Sequence, residues 1–493
     1  MSLEMLIDAD DSRLRETCAE ADASDPDLNN ELSMLHKALS EFRQQHGFGR
    51  AIAAPQLGIM KRMVALNLGA TPFELINPEI YWRSEETQQI WDDCLSLPDI
   101  VVNVNRHKSV SIRYQDIRGQ HHQWHELPAD LAELVQHEID HLNGILMTDR
   151  AIDEQSVRPV SDHAQLVSGN RPKPRLSLTN TKLASTVIDP VFLNSPQYNC
   201  EPLSDVLNCK LTLKLEFLNP IRSFKGRGAS FLLHQLAREY KSSVIPPLFC
   251  ATAGNWGQAL AYCCRSAGLP LTIYAAENAN EMKIERMRAL GASVVLEGED
   301  FDTAKDAAAQ QAKQHSGLLL EDGKFAAVSE ATATIAMELQ QQKTPFDAIV
   351  VPLGGGALLA GIARWMKASA PSTRIIGVSA SGADAMYQSW HQRKLISTDT
   401  VNTIADGIAM RVPVAEALGD IQYSIDDIVL VDDAEIISAM QLLRTHTGLL
   451  AEPAGACALS AIKKEKLFSN QRVAAIICGS NLTEAQIKQF ELN

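Results

Sequence analysis

Two stretches of this 493-residue chain carry side chains at spacings that chemistry uses. In Gln136-His137-Glu138-Ile139-Asp140-His141 the histidines stand four apart, so on a helix they lie one above the other and can grip one ion, with Glu138 projecting beside it. Upstream, Asp92-Asp93-Cys94-Leu95-Ser96-Leu97-Pro98 offers a thiolate as third ligand, and earlier still runs Gly49-Arg50-Ala51-Ile52-Ala53-Ala54-Pro55-Gln56-Leu57-Gly58. A lone HExxH also fits a helix with solvated histidines, but the two further segments weigh against that reading. In the second stretch, Ser223-Phe224-Lys225-Gly226-Arg227-Gly228-Ala229 sits where the strand-like LTLKLEFL gives way to a helix. A lysine at a helix N-terminus opposes the macrodipole and asks for a reason. Thr252-Ala253-Gly254-Asn255-Trp256-Gly257 again joins strand to helix, where free backbone N–H groups bind a carboxylate. Val351-Pro352-Leu353-Gly354-Gly355-Gly356 ends a buried strand in a nest suited to phosphate, although a glycine run also makes a plain tight turn.

The three segments of the first stretch, in this order, resemble the three motifs of peptide deformylases, over roughly residues 1 to 155. The resemblance implies that Cys94, His137 and His141 bind a divalent metal, ferrous iron first and zinc or nickel as alternatives, and that Glu138 is the general base and acid. Three protein ligands leave a fourth position for a water whose pKa the metal lowers, so that hydroxide can attack a formyl carbon. Gln56 and the Leu95 backbone N–H would stabilise the resulting oxyanion. Two residues depart from the family pattern: Asp93 stands where a glycine usually precedes the cysteine, and Ala51 replaces a glycine of the first loop. Asp93 brings a charge to the mouth where a formyl-methionyl peptide would lie. The nearby His121, His122 and His125 read as a solvated hairpin rather than a second metal site.

The second set of segments resembles the fold-type II pyridoxal-phosphate enzymes, nearest the threonine/serine dehydratase branch, from about residue 185 to 490. The match takes in TIADGIA (403–409), GLLAEPAGA (448–456) and Cys478-Gly479-Ser480-Asn481. It implies pyridoxal 5'-phosphate, with Lys225 as the Schiff-base lysine that also moves the α-proton, and Phe224 and Asn255 holding the ring and its 3-hydroxyl. Gly354, Gly355 and Gly356 would cradle the phosphate, and Thr252, Ala253 and Gly254 would bind the substrate. Ala357 stands where the family usually has a fourth glycine. Cys478 falls opposite the pyridine nitrogen, and a neutral partner there favours rapid β-elimination; the same residue also reads as a small buried core group. Related racemases carry a serine where Ala253 stands. About a dozen residues follow the Cys478 motif, so the regulatory domain of biosynthetic threonine deaminases is expected to be absent.

These residues need elements to hold them. Residues 1–157 alternate short apolar runs with polar turns and close with the helical LPADLAELVQHEIDHLNGIL, an α+β pattern expected to form the deformylase-like domain. Residues 158–183, rich in Pro, Ser, Asn and basic side chains, read as a linker. Residues 184–493 alternate strands and helices, which predicts parallel sheets in an α/β, tryptophan synthase β-like domain of two lobes.

Composition sets the outer bounds. With 45% hydrophobic and 21% charged residues the chain is of globular type, and a net charge of −15 with no basic stripe argues against a nucleic-acid partner. Nine cysteines are too sparse for a disulfide framework and suit a reducing cytosol, so a cytoplasmic location is expected. The acidic N-terminus is unlike a signal peptide. The longest uncharged run, residues 348–363, is short for a membrane helix and interrupted by proline and glycine, so no membrane partner is expected. The expected function is bifunctional: hydrolysis of an N-formyl group, and deamination of a β-hydroxy amino acid (threonine or serine) to a 2-oxo acid and ammonia. The partners expected are an amino acid or N-formyl amino acid, and by family analogy a second copy in a homodimer. The alternative is β-replacement or threonine-synthase-like chemistry joined to a non-catalytic deformylase-like interaction domain.

Overall fold

The computed structural model describes all residues except 1–5, 8–9, 47–48, 70, 160–173, 241–244, 253, 280, 300, 423, 465–467 and 493. The chain divides into two compact units, Met1–Pro174 and most of Arg175–Asn493. This boundary lies inside the 158–183 stretch expected as linker, but that stretch is not linker throughout. Val157–Pro159 is a strand paired with Ile100–Val102, and Leu178–Val187 is a helix whose N-cap Ser177 side chain accepts from the Asn180 N–H. Both ends are structured because each has a backbone or capping partner that composition does not show.

In the first unit, helix α1 (Leu28–His46) precedes strands β1 (Ala51–Ala53), β2 (Met63–Leu66), β3 (Phe73–Arg83), β4 (Thr87–Asp93), β5 (Ile100–His107), β6 (Val110–Gln115) and β7 (His121–Trp124), then helix α2 (Ala129–Leu142) and strand β8 (Val157–Pro159). The sheets are antiparallel, ordered β1-β2-β3-β6-β7 and β4-β5-β8. Both faces of the larger sheet are covered, and β2 shows the period-two consequence: Val64 and Leu66 join the core with α2, whereas Met63 and Ala65 join the core with α1. In α2, Leu131, Leu134, Val135, Ile139 and Leu142 form the apolar face. The remaining side, with Gln136, His137, Glu138, Asp140 and His141, is buried as well, so its polar groups must find partners.

The second unit opens with helix α3 (Leu178–Val187). Strands β9 (Gln197–Asn199) and β10 (Lys210–Leu215) lead to α4 (Lys225–Tyr240), β11 (Leu248–Ala251), α5 (Asn255–Ala267), β12 (Leu271–Ala275), α6 (Glu281–Ala289), β13 (Ser293–Leu296) and β14 (Leu318–Leu319). Then follow α7 (Ala326–Leu339), β15 (Ala348–Pro352), α8 (Ala357–Lys367), β16 (Arg374–Ala380), β17 (Asp427–Val431), α9 (Pro453–Lys464) and β18 (Arg472–Ile477). Two sheets result, β17-β16-β15-β18-β10-β9 and β13-β12-β11-β14, parallel throughout except for the β9 edge. Strands such as AIVVP and RVAAII read as continuous apolar runs because helices cover both of their faces. Among the described residues no helix is long and apolar enough to cross a membrane.

Candidate functional site

In the first unit, one helical turn of α2 brings the imidazoles of His137 and His141 edge to face, with ring centroids 4.8 Å apart and planes at 77°. Their Nε2 atoms face each other at 3.2 Å, and Cys94 Sγ, just past β4, lies 3.2 Å from His141 Nε2. All three ligand atoms fall within 4.8 Å of one another, the one such group of three or more His, Cys, Asp or Glu among the described residues. Imidazole nitrogens and a thiol converging in a buried pocket are a donor set in search of a cation, so the residues present fit a divalent metal of intermediate softness.

The surrounding groups fix that geometry. Asp92 Oδ2 accepts from His137 Nδ1 at 2.9 Å, which turns Nε2 toward the thiol, and from Arg106 at 2.9 Å. Arg106, 3% exposed, also holds Asp140 at 2.5 Å. Burial would lower His137, but the Asp92 carboxylate outweighs it and lifts the imidazole well above its ordinary value; burial and the neighbouring His137 hold His141 well below. Burial pushes the Glu138 carboxyl up to about 7, and its Oε2 has no partner among the described residues. The Gln56 Oε1 accepts from the Ala53 N–H at 2.8 Å, so its amide N–H group points the other way, 3.0 Å from Ser96 Oγ and 3.7 Å from Cys94 Sγ. Leu95 lines the cleft that opens onto His137 and Glu138. His121, His122 and His125 take separate partners, Gln115, Asp116 and Tyr81, along the β6–β7 hairpin.

In the second unit the candidate residues follow the carboxyl ends of strands from both sheets, the place where open parallel sheets bind ligands. Phe224 and Lys225 come after β10, Thr252 and Asn255 after β11, Gly354 after β15, and Cys478 directly after β18. The Phe224 N–H donates to Cys478 O at 3.0 Å, tying two of these ends together. Lys225 Nζ lies 4.5 Å from the Phe224 ring centroid and pairs with Asp322. Next to Asp322, a Cβ on Gly323 would stand 3.1 Å from Gly355 O, which places the lysine close to the glycine run. Gly356 has φ +91°, and a Cβ there would meet Ala417 Cβ at 2.8 Å; a Cβ on Gly354 would meet Ile408 Cα at 2.9 Å. Positions 354 and 356 therefore need glycine, and the backbone the run bares forms a cradle that fits a phosphate. Cys478 Sγ faces Ala454 O at 3.6 Å, and burial drives the thiol well above its usual value, so it is neutral. The Thr252 hydroxyl accepts from the Gly254 N–H at 3.1 Å ahead of α5, whereas Ala253 lies outside the described residues.

Three participants, Asp322, Glu452 and Asn481, have no role assigned to them by the sequence. Asp322 is 97 residues from Lys225. Glu452 accepts from Asn255 Nδ2 at 2.7 Å and from the Asn481 N–H at 2.9 Å, while Asn481 Nδ2 donates to Asn255 Oδ1 at 2.7 Å. Burial and repulsion from Asp406 push the Glu452 carboxyl up to about 7. The GLLAEPAGA segment was visible as a motif, but nothing in its spacing shows that its carboxylate reaches Asn255.

Comparison with known proteins matches each region of the chain to a family. Residues 3–157 match the polypeptide deformylase family and residues 188–479 the pyridoxal-phosphate dependent enzyme family. A biosynthetic L-threonine dehydratase of Pasteurella multocida is 34% identical over 303 residues, 61% of this chain and 58% of its own length. The mitochondrial threonine dehydratase of Schizosaccharomyces pombe is 33% identical over 307 residues, 61% and 50% respectively. The chain thus spans only 50 to 58% of these relatives. Among solved structures, processed threonine deaminase isoform 2 of Solanum lycopersicum superposes with a TM-score of 0.60 at 29% identity, covering 65% of this chain and 95% of that one. Maize serine racemase gives 0.60 at 25%, covering 64% and 96%. With more than half its length in that match, and the lysine, glycine run and strand ends arranged as a cofactor site, the chain belongs to the pyridoxal-phosphate dependent enzymes and carries ahead of that region a deformylase-like domain.

Proposed function

We propose that the protein is a bifunctional enzyme: a metal-dependent hydrolase of N-formyl groups and a threonine/serine ammonia-lyase. The observation that carries the lyase is the convergence of Lys225, the Gly354–Gly356 cradle and the neutral Cys478 at the strand ends. Pyridoxal phosphate, when bound, supplies the electron sink that lets an amino acid lose its α-proton and then its β-hydroxyl. Lys225 Nζ is the group that takes the proton from the substrate Cα. Gly354, Gly355 and Gly356 would hold the phosphate on their backbone, Phe224 and Asn255 would border the ring, and Thr252 and Gly254 at the head of α5 would receive the substrate carboxylate. Cys478, neutral when buried, would bring no charge to the pyridine nitrogen of a bound cofactor. Lys225→Ala should lose the visible absorption of the bound cofactor and release no ammonia from threonine or serine.

The observation that carries the hydrolase is the Cys94, His137 and His141 trio with Asp92 behind His137. A divalent metal held there, iron, zinc or nickel, supplies a Lewis acid and a water of lowered pKa. Glu138, unpartnered at Oε2 and facing the same pocket, takes the proton of the attacking water and returns it to the departing amine nitrogen. Gln56 and the Leu95 N–H face the developing oxyanion. Glu138→Gln should retain metal and release no formate. A metal-loaded wild type that releases no formate from any formyl compound would leave this domain an interaction module.

A further inference from the structure

We infer that the cleft beside the metal trio selects a small N-formyl amino acid with a free carboxylate, docked on Arg50, and rejects apolar side chains; the inference rests on the hydrolase reading above. The cleft is narrow, with enclosed room of about 20 Å³, on the order of one water, so it holds no pocket for a bulky apolar side chain. Its lining brings His137 and Glu138 together with Arg50, Asp93 and Glu133. Arg50 and Glu133 form an ion pair in which the glutamate side chain is 1% exposed and the arginine 25%, so the arginine is the member of the pair that reaches the opening. Of its five N–H donors, one goes to Glu133 and one to Asp130 O at 2.8 Å. Arg106, the other guanidinium close to the trio, is buried between Asp92 and Asp140 and offers nothing to a ligand.

An apolar side chain laid on this wall would strip water from an ion pair and return no hydrogen bond. A carboxylate would instead receive charge-assisted bonds from the guanidinium, and a site built around such bonds discriminates strongly against ligands that lack the group. In a peptide that carboxylate is an amide, so a free N-formyl amino acid is the favoured class. The reaction balances as a hydrolysis: the formyl C–N bond breaks, water oxygen bonds to the formyl carbon, and formate and the free amine leave, the proton passing through Glu138. The freed amine is the group a pyridoxal-phosphate enzyme needs on its substrate, whereas the nitrogen of a formamide is delocalised into its carbonyl and is not nucleophilic.

The test compares, on the full metal-loaded chain, formate release from N-formyl-threonine, its carboxamide and a formyl-methionyl peptide. The acid should exceed the amide by about tenfold or more in kcat/KM, and Arg50→Gln should bring that ratio near one. The paired replacement Arg50→Met with Glu133→Leu, which removes both charges together and so leaves no buried carboxylate in need of a partner, should shift preference toward the methionyl peptide. Calorimetric binding of N-formyl-threonine to Glu138→Gln protein should weaken about tenfold when Arg50→Gln is added. Equal turnover of acid and amide, or indifference of both readouts to Arg50, overturns the inference. Absence of formate from every substrate overturns the hydrolase reading instead, and the calorimetric arm still decides whether Arg50 binds the carboxylate.

Discussion

Asp92 shows how one carboxylate beyond the ligands decides what they can do. It holds His137 by Nδ1 and is itself held by Arg106, so its charge is met on both sides and the imidazole keeps one orientation. Groups that orient a ligating histidine are worth about 10–100-fold in metal affinity. Asp92→Asn should weaken metal binding by that amount, measured by competition with a chromophoric chelator, while Cys94→Ala abolishes it. Glu452 makes a second prediction at this scale. Its carboxyl, ordinarily at 4.5, titrates at about 7 in the folded chain because of burial and Asp406. A raised folded value means that its contribution to stability is complete below about 4.5 and is lost as the pH climbs through about 7, by at most on the order of 3 kcal/mol. Urea midpoints of the cofactor-free protein from pH 5 to 8 should therefore fall more steeply for wild type than for Glu452→Gln.

At the scale of elements, the start of α4 is held by a buried charge cluster two residues past Lys225. Arg227 donates to Glu216 at the end of β10 (2.8 and 2.9 Å) and to Glu338 and Thr334 on α7 (2.5 to 2.9 Å), while Lys214 of β10 reaches Glu338 at 2.5 Å. Two cations and two carboxylates close the set, so β10, α4 and α7 are locked at one angle. Removing one partner from such a cluster leaves carboxylate charge uncompensated and costs about 3–5 kcal/mol. Arg227→Met should lower the denaturant midpoint accordingly, and in the surviving folded fraction should raise the concentration of cofactor needed for half-saturation. A change in stability alone, with cofactor affinity untouched, would separate this cluster from the positioning of Lys225.

For the whole molecule, each unit has its own core and its own candidate site, and the two proposed chemistries would draw on different cofactors. Chelation should abolish formate release and leave ammonia release from free threonine unchanged. Hydroxylamine treatment to strip pyridoxal phosphate should do the reverse, the two followed in one sample by separate assays of formate and oxo acid. With both sites intact, N-formyl-threonine should yield formate first and oxo acid after a lag. Loss of both activities on chelation would make the units interdependent.

Read residue by residue, the chain itself determined a good part of this. His137, Glu138 and His141 sit within one helical turn, and Gly354 to Gly356 follow a run of apolar strand residues; both are local patterns whose geometry follows from period and steric freedom. The alternation of strands and helices likewise announced parallel sheets, because buried parallel strands must be apolar on both faces. What the tertiary structure alone decided is which distant groups meet. Asp92 finding both His137 and Arg106, Asp322 finding Lys225, Glu452 finding Asn255, and Arg50 turning Glu133 into one wall of the cleft all join residues from about 14 to 197 positions apart. A buried carboxylate is indistinguishable in sequence from an exposed one; only packing removes its water and so obliges it to take a partner.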